Sequence, residues 1–349
     1  MGVLVLAGGC GSDTDGEAWA PVADEGTDGD GDGHGGHDTG GDAGATDDGA
    51  ADDRGDAADD RGDDGDSGDS GGPPMEPPGA PNCYSEPLFV DADVSDIVAA
   101  YGGPDWKQDL IDAMDARWPA GAYLLSEQQN DAYFSQFSDP NSWSGMVSWL
   151  DTLVHEQTHL FNAYHAIDVG ENASLYFRED LIMYLPPEQG FARAEILPEL
   201  APGPAAGIYT GTYLTGEQGT RGFNAVLDEY SCYLNEVPGM AVFGDDYPGL
   251  GVSLRDGAAA FSYFLQAYLK VAREQHPDFY DWAKGQPVYV DAVHTLWVRT
   301  QFMFEEVGDL HPSLGIDDAM YRDAALEPDN LMELELFTGK RYDASPCWE

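Results

Sequence analysis

The chain divides by composition near residue 80, and only the second part can fold around a large core. Residues 1–80 are mostly Gly, Asp, Ala and Ser, with 22 acidic and two basic residues. They hold too little apolar surface to offset the entropy lost on ordering. Residues 82–349 carry nearly all of the Trp, Tyr, Phe and Leu. We therefore predict a disordered, Asp/Gly-rich acidic linker at 11–81 and one folded domain at 82–349.

The charge of the chain limits its partners. The net charge is −50, and the folded part keeps more than half of it after the linker's share is removed. Nucleic-acid binding needs a basic footprint, which this balance argues against. We therefore expect no nucleic-acid partner, and the charge itself does not indicate a fold.

The first ten residues, MGVLVLAGGC, are apolar and too short to span a membrane. They resemble the end of a bacterial lipoprotein signal peptide, which closes on a Cys that is lipidated and becomes the new N-terminus. Leu6 lies four residues before Cys10, whereas the consensus sequence of such signal peptides has Leu three residues before the Cys. The resemblance implies an exported cell-envelope lipoprotein, anchored to the outer membrane or cell surface through Cys10 alone. The alternative is a short apolar N-terminus with an incidental Cys.

The sequence His155-Glu156-Gln157-Thr158-His159 has the form H-E-x-x-H. On a helix this spacing sets two imidazoles one turn apart on the same face, where both can bind one Zn²⁺ ion. Glu156 between them can then act as the general base on a water at that ion. The pattern therefore predicts a zinc site at His155 and His159 with Glu156 as a catalytic residue.

The residues around the motif favour a buried amphipathic helix. Apolar side chains recur there at helical spacing, at Trp149, Leu150, Leu153, Val154, Phe161, Tyr164 and Ile167. The interior positions Gln157 and Thr158 are uncharged. In these features the segment resembles the zincin metallopeptidases. The resemblance implies a zinc cofactor and a peptide or protein substrate, whereas the alternative is a helix with two ordinary histidines.

A catalytic zinc needs a third protein ligand, and the first candidate is Glu229. The segment from Gly222 to Leu234 has the apolar stripe of a helix, and Glu229 lies among apolar neighbours on it. A carboxylate there is costly unless it is paired or bound to a metal. Asp228 lies on a more polar side of this helix, where it suits contact with solvent or a hydrogen bond to a metal ligand. This helix resembles the one on which gluzincins carry their third ligand, a Glu.

The second candidate is His165, which extends the motif to the metzincin spacing with Asn162 in place of the usual Gly. Asn tolerates the left-handed conformation that would turn the third His back toward the metal. Met183 could then serve as the Met-turn. Against this reading, the apolar spacing continues through residue 162, and Gly170 is a more natural end of the helix. Both candidates stay open at the level of sequence.

Hydrolysis also needs a group that stabilises the developing oxyanion. Gluzincins often use a Tyr or His near the third ligand, and a Tyr- and Gly-rich stretch precedes the Glu229 helix. Tyr213 is the first choice, with Tyr209, Tyr230 and Tyr233 behind it. Any of these rings could equally be part of the core.

The predicted fold class is α+β, a zincin-like unit with a mostly helical C-terminal half. The expected elements are a strand and two short helices over 86–118, the motif helix over 141–168, an edge strand over 174–185, an irregular segment over 186–222, and helices over 223–236, 257–275 and 288–307. Cys83 and Cys347 could form a disulfide that joins the ends of the domain, and Cys232 is expected to be a buried thiol.

Taken together, the sequence predicts a membrane-anchored, exported zinc metallopeptidase that uses an activated water. Two other functions remain compatible with it. One is a non-catalytic surface module for adhesion or ligand binding, in which the metal is structural or absent. The other is a zinc hydrolase that acts on a non-peptide amide, because the zinc–water chemistry is the same.

Overall fold

A computed structural model describes residues 83–187, 189–246, 254–307 and 314–342. The predicted lipid anchor at Cys10, the linker 11–81 and Cys347 lie outside these residues. The described chain is mostly helical with one small two-stranded sheet, which agrees with the coarse α+β prediction. No described helix has both the length and the apolar character to cross a bilayer.

The helices are, in chain order, α1 (Ser95–Ala100), α2 (Trp106–Arg117), α3 (Pro119–Gln128), α4 (Trp143–Val147), α5 (Leu150–Asp168), α6 (Pro202–Ala205), α7 (Ile208–Tyr213), α8 (Phe223–Ala241), α9 (Leu254–Gln275), α10 (Pro277–Lys284), α11 (Pro287–Phe302), α12 (Asp318–Ala325) and α13 (Pro328–Thr338). A π turn, Met303–Val307, follows α11 directly. The helices predicted from residue 223 onward are therefore present, with α8 running five residues beyond its predicted end.

Helices α5 and α8 form the centre of the domain and pack directly on each other. On α5, Leu153, Val154 and Phe161 are buried, and on α8, Val226 and Leu234 are buried. These positions recur at helical spacing, so each helix presents one apolar stripe to the other. The pairing also buries the polar side chains that lie on these facing sides of α5 and α8.

The apolar stripe predicted on α5 is correct in its middle and wrong at its ends. Trp149, Tyr164 and Ile167 are 36%, 39% and 66% exposed. Near its C-terminal end the buried face of the helix passes instead through Asn162. Its amide oxygen accepts a hydrogen bond from the backbone N–H of Tyr176 at 2.8 Å. The single helix predicted over 141–168 is divided into α4 and α5. The end of α5 is where the sequence predicts it, and Gly170 takes the left-handed φ of 79° there.

Residues 174–185 form a hairpin, so the prediction of a single strand there was wrong. Strands β1 (Ala173–Arg178) and β2 (Leu181–Leu185) pair antiparallel, with Leu175 opposite Met183 and an irregularity after Tyr176. The polar pair at 179–180 makes the turn, and Asp180 accepts a hydrogen bond from Arg178. Strand β1 packs on α5 and thereby covers that helix on a second side.

The strand predicted within 86–118 is absent, because the chain before α1 follows an irregular path. Phe89 N–H donates to the carbonyl of Arg117, and Ala92 N–H donates to the carbonyl of Phe89 in a local turn. These bonds do not form a strand ladder. Side chains also hold this path. The Tyr84 hydroxyl donates to Glu86 at 2.6 Å, and Glu86 pairs with buried Arg299 on α11 at 3.3 Å.

The segment 186–222 is built from short turns, as the sequence predicts, and it is anchored over α9. It contains α6, α7 and two 3₁₀ turns, Arg193–Glu199 and Gln218–Thr220. Phe191 is stacked between Tyr268 and His276, with ring centroids 4.1 and 4.0 Å away. The Tyr268 hydroxyl also donates to the Phe191 carbonyl at 2.6 Å. This anchor fixes the start of the segment that brings Arg193 and Tyr213 to the central helices.

Candidate metal centre

Two buried imidazoles of α5 face each other at the centre of the domain. His155 and His159 are one helical turn apart, and their Nε2 atoms are 3.1 Å from each other. Both residues are buried. The helix therefore produces the geometry that the H-E-x-x-H spacing predicts, with both Nε2 atoms directed to one point.

Glu229 reaches the same point from α8. Its Oε2 atom is 3.6 Å from Nε2 of His155 and 3.5 Å from Nε2 of His159. These distances are long for hydrogen bonds. Oε2 is buried and has no hydrogen-bond partner among the described residues. A buried carboxylate oxygen in this condition is costly unless a cation neutralises it.

The three atoms fit a metal ion. Ligands about 2.1 Å from a tetrahedral zinc lie about 3.4 Å from one another. The separations of 3.1, 3.5 and 3.6 Å among the two Nε2 atoms and Oε2 are close to this value. Two nitrogens and one carboxylate oxygen are also the donor types of catalytic zinc sites. The residues present therefore fit a zinc ion held by His155, His159 and Glu229.

Each imidazole is oriented by a carboxylate of α8 that is hydrogen bonded to its Nδ1 atom. His155 Nδ1–H donates to Glu236, and His159 Nδ1–H donates to Asp228 Oδ2 at 2.7 Å. Asn162 in turn donates to the other oxygen of Asp228 at 2.7 Å. A donor at Nδ1 leaves the lone pair on Nε2, which is the tautomer that binds a metal.

The imidazoles and carboxylates of the site stabilise one another's charges. Burial alone would lower the pKa of His155, but the carboxylates of Glu236 and Glu229 raise it above its usual value. Burial alone would raise the pKa of Glu229, but the facing imidazoles hold it well below its usual range. A cation at the common point of the three ligand atoms meets the same electrostatic demand.

Cys232 is a further residue that could contribute to the site. It is buried on α8, one turn after Glu229, and forms a group with His155 and His159 whose ligand atoms lie within 4.8 Å of one another. Burial raises the pKa of its thiol well above the usual value. The sequence predicts the buried thiol but not its position beside the imidazoles. Glu229 and Cys232 are therefore alternative third donors from α8, and they differ in charge, because the imidazoles lower the pKa of Glu229 whereas burial raises that of the thiol.

Glu156 lies beside the two histidines and is buried. Burial raises the pKa of its carboxyl group, and the charges of His155 and His159 partly oppose that rise. A raised pKa brings a carboxylate closer to the value at which a general base is effective. The structure thus places the predicted base next to the predicted ligands.

Tyr213 lies near the site as one of a pair of phenols. Its hydroxyl is hydrogen bonded to the hydroxyl of Tyr233 at 2.6 Å, and the Tyr233 ring meets the His155 ring edge-on at 4.8 Å. Tyr209 packs against both rings of the pair. Tyr230 instead bonds to Thr300 on α11. Tyr233 is therefore the aromatic residue that contacts His155, and Tyr213 is connected to the imidazoles through Tyr233.

His165, the alternative third ligand, is not brought to the Nε2 pair. Helix α5 continues unbroken through Asn162, and His165 Nε2 is hydrogen bonded to the Tyr184 hydroxyl at 2.8 Å. Its ring stacks on Phe161 at 4.8 Å. Met183 lies within strand β2 and not in a turn.

Glu236 and Arg193 were not predicted as residues of the site, and only Glu236 has a local sequence signal. Glu236 stands seven residues after Glu229, which is two helical turns, so the same face of α8 had to carry both. Arg193 lies in a segment without periodicity, and only the fold shows that it comes within electrostatic range of Glu229.

Replacing Asp228 by Asn should lower the affinity for zinc by about 10- to 100-fold, the usual cost of losing a partner of a ligand histidine. The amide keeps the shape of the side chain but loses the charge that polarises His159. Competition with a chromogenic chelator measures the affinity. Asp180→Asn on the exposed hairpin turn is the matched control and should leave it unchanged. Equal affinity in the two variants would contradict this role of Asp228.

Gly257 on α9 makes room for Tyr233. A Cβ atom there would lie 2.1 Å from Cδ1 of the Tyr233 ring, so Gly257→Ala must displace the ring from His155. We expect a loss of about 1–3 kcal/mol of stability. Thermal unfolding measures this loss. Gly211→Ala on α7 is the matched control, because a Cβ atom there meets nothing within 4 Å. A Gly257→Ala protein as stable as this control would show that the ring is not confined.

Comparisons of the chain with protein-family models, with curated proteins and with solved structures find no match.

Proposed function

We propose that this protein is an exported zinc metallopeptidase whose metal is held by His155, His159 and Glu229. The convergence of three buried ligand atoms supports it. Two imidazole nitrogens and one carboxylate oxygen without a hydrogen bond lie 3.1 to 3.6 Å apart. An adjacent buried glutamate distinguishes this arrangement from a purely structural site, since a structural zinc has no use for a base.

In this proposal each residue has a defined task. A bound zinc would polarise the scissile carbonyl and acidify the attacking water. The Glu156 carboxylate accepts the proton of that water and passes it to the leaving amine. Glu236 and Asp228 keep the imidazoles in the ligand tautomer. The hydroxyls of Tyr213 and Tyr233 supply a donor for the oxygen that gains charge in the transition state.

The wider family assignment is part of the same proposal. Helix α5 with its H-E-x-x-H motif and helix α8 with Glu229 resemble the two metal-binding helices of gluzincins, and we propose a zincin-like unit on this basis. We also propose the lipid anchor at Cys10. Mass spectrometry of the N-terminal peptide from cell envelopes tests it, and an unmodified Cys10 would refute it.

The experiment that tests the function uses the full chain purified without added chelator. Metal analysis should find a single zinc per chain, and a peptide library should be hydrolysed in a zinc-dependent way. Removal of zinc by a chelator should stop hydrolysis, and added zinc should restore it. A wild-type protein that binds no zinc even after addition of the metal would refute the proposal.

The position of Cys232 favours one other function. If its thiolate completes the coordination, the site holds four protein ligands, and the protein is a non-catalytic surface module with a structural zinc. Replacing zinc by cobalt distinguishes the two, because a thiolate ligand gives a charge-transfer absorption that nitrogen and oxygen ligands lack. Such a band, lost in Cys232→Ala, combined with absence of hydrolysis would support the structural site.

A further inference from the structure

Arg193 is a buried cation near the candidate metal centre. Glu229 and Asp228 act on its charge from a distance. It is fully buried, and no described carboxylate makes an ion pair with it. The other fully buried arginine, Arg299, differs because Glu86 lies 3.3 Å from it. A buried guanidinium is costly without an anion. Among the described residues, Arg193 therefore lacks the close anionic partner that Arg299 has.

One edge of the guanidinium is hydrogen bonded, and the other edge has no hydrogen-bond partner among the described residues. Nε donates to the backbone carbonyl of Gln218 at 2.8 Å, and Nη2 donates to the Gln218 side chain at 2.6 Å. Both acceptors are neutral. Nη1 is buried and makes no hydrogen bond with the described residues. One N–H group of Nη1 and the second N–H group of Nη2 therefore have no acceptor among the described residues. These two groups are parallel and match the two oxygens of a carboxylate.

The position of Arg193 relates this edge to the proposed reaction. Its guanidinium lies over the Tyr213 ring at 5.3 Å. Tyr213 bonds to Tyr233, whose ring meets His155. Arg193 is thus separated from the imidazoles by one pair of aromatic rings. An extended peptide advances about 3.3–3.6 Å per residue, so a group on Arg193 would lie a short distance along the substrate from the reacting bond.

From this geometry we propose that Arg193 recognises a carboxylate of the substrate close to the scissile bond. The inference rests on the proposed function and adds a substrate class, namely peptides with a free C-terminal carboxylate or an acidic side chain beside that bond. A carboxylate is the anion that a peptide substrate supplies, and the free end of the fork offers two parallel donors to its oxygens. The nearby charge of Arg221 adds to the attraction in a protein that is otherwise strongly acidic.

Titration calorimetry can test this without turnover, in the zinc-loaded full chain carrying Glu156→Gln. The probes are acetyl-trialanine, its C-terminal amide, and the amide with Glu as its last residue. We expect the free acid or the Glu peptide to bind about 10- to 100-fold more tightly than the plain amide, as hydrogen bonds to charged groups predict. The stronger of the two shows whether the carboxylate comes from the terminus or from a side chain.

Arg193→Gln should remove this preference and leave the affinity for the plain amide nearly unchanged. Arg193→Lys should keep part of it, because the charge remains but the fork is lost. Arg178→Gln on the exposed hairpin is the control and should retain all of it. Zinc content is measured in each protein. A preference that persists in Arg193→Gln with equal zinc would mean that the carboxylate binds the metal, and this result would overturn the proposal.

Equal binding of all three peptides by the arginine-containing protein would also overturn it, and this arm does not depend on the folding of any Arg193 variant. The result is separable from the peptidase proposal. Absence of hydrolysis in the wild type with a retained carboxylate preference would refute the peptidase but not the carboxylate site. Hydrolysis of acid and amide substrates at equal rates would refute the carboxylate site but not the peptidase.

Discussion

Glu156→Gln should lower kcat for peptide hydrolysis by about 10²- to 10⁴-fold while the protein keeps its zinc. The loss corresponds to removal of general acid–base catalysis. The amide has nearly the shape of the carboxylate but cannot accept the proton of the attacking water. Because Glu156 is not one of the three converging ligands, the metal site itself should be intact. Steady-state kinetics together with metal analysis of the same preparation measures both quantities.

The matched control for this change is Glu127→Gln at the exposed end of α3, which should leave both kcat and zinc content unchanged. A Glu156→Gln protein with zinc bound and substantial hydrolysis remaining would rule out the proposed mechanism. Loss of zinc in this variant would instead mean that Glu156 contributes to the metal site, and the kinetic loss could then not be assigned to a proton transfer.

The parts of the site that could be predicted are those fixed by helical periodicity. The spacing of His155 and His159 determines that they share a face of α5. The apolar neighbours of Glu229 determine that it is buried on α8. Both conclusions depend only on side chains within one helix, and a single-helix pattern carries that information. Helices α8, α9 and α11 were predicted for the same reason, whereas α10, α12 and α13 were not predicted.

The rest depended on contacts between elements, which the sequence does not specify. The pairing of Glu236 with His155 requires the relative placement of α5 and α8. Arg193 reaches the site only because the Phe191 anchor holds an irregular segment over α9. Residues 174–185 were misread because their apolar alternation looks continuous and one polar pair sufficed to turn the chain. For Glu236 and Arg193 the missing information was tertiary packing, whereas for the hairpin it was the local turn preference of that polar pair.

Glu229→Ala should lose zinc, whereas His165→Ala should keep it. Removing a ligand atom leaves two imidazoles, and the loss of affinity should exceed the 10- to 100-fold expected for an outer partner such as Asp228. His165 is bonded to Tyr184 and stacked on Phe161, so its removal costs packing but no ligand. Metal analysis after dialysis against buffer, with unfolding curves for both proteins, separates the loss of metal from the loss of fold.

Glu229→Gln refines the test because it keeps the shape of the side chain and removes only its charge. If the buried oxygen is present to neutralise a metal ion, this variant should also bind zinc much more weakly than wild type. Retention of zinc in Glu229→Ala but not in Cys232→Ala would assign the third ligand to the thiol. The reverse pattern, with hydrolysis lost only together with Glu229, would leave the thiol without a role in the metal site and support an open coordination position for water.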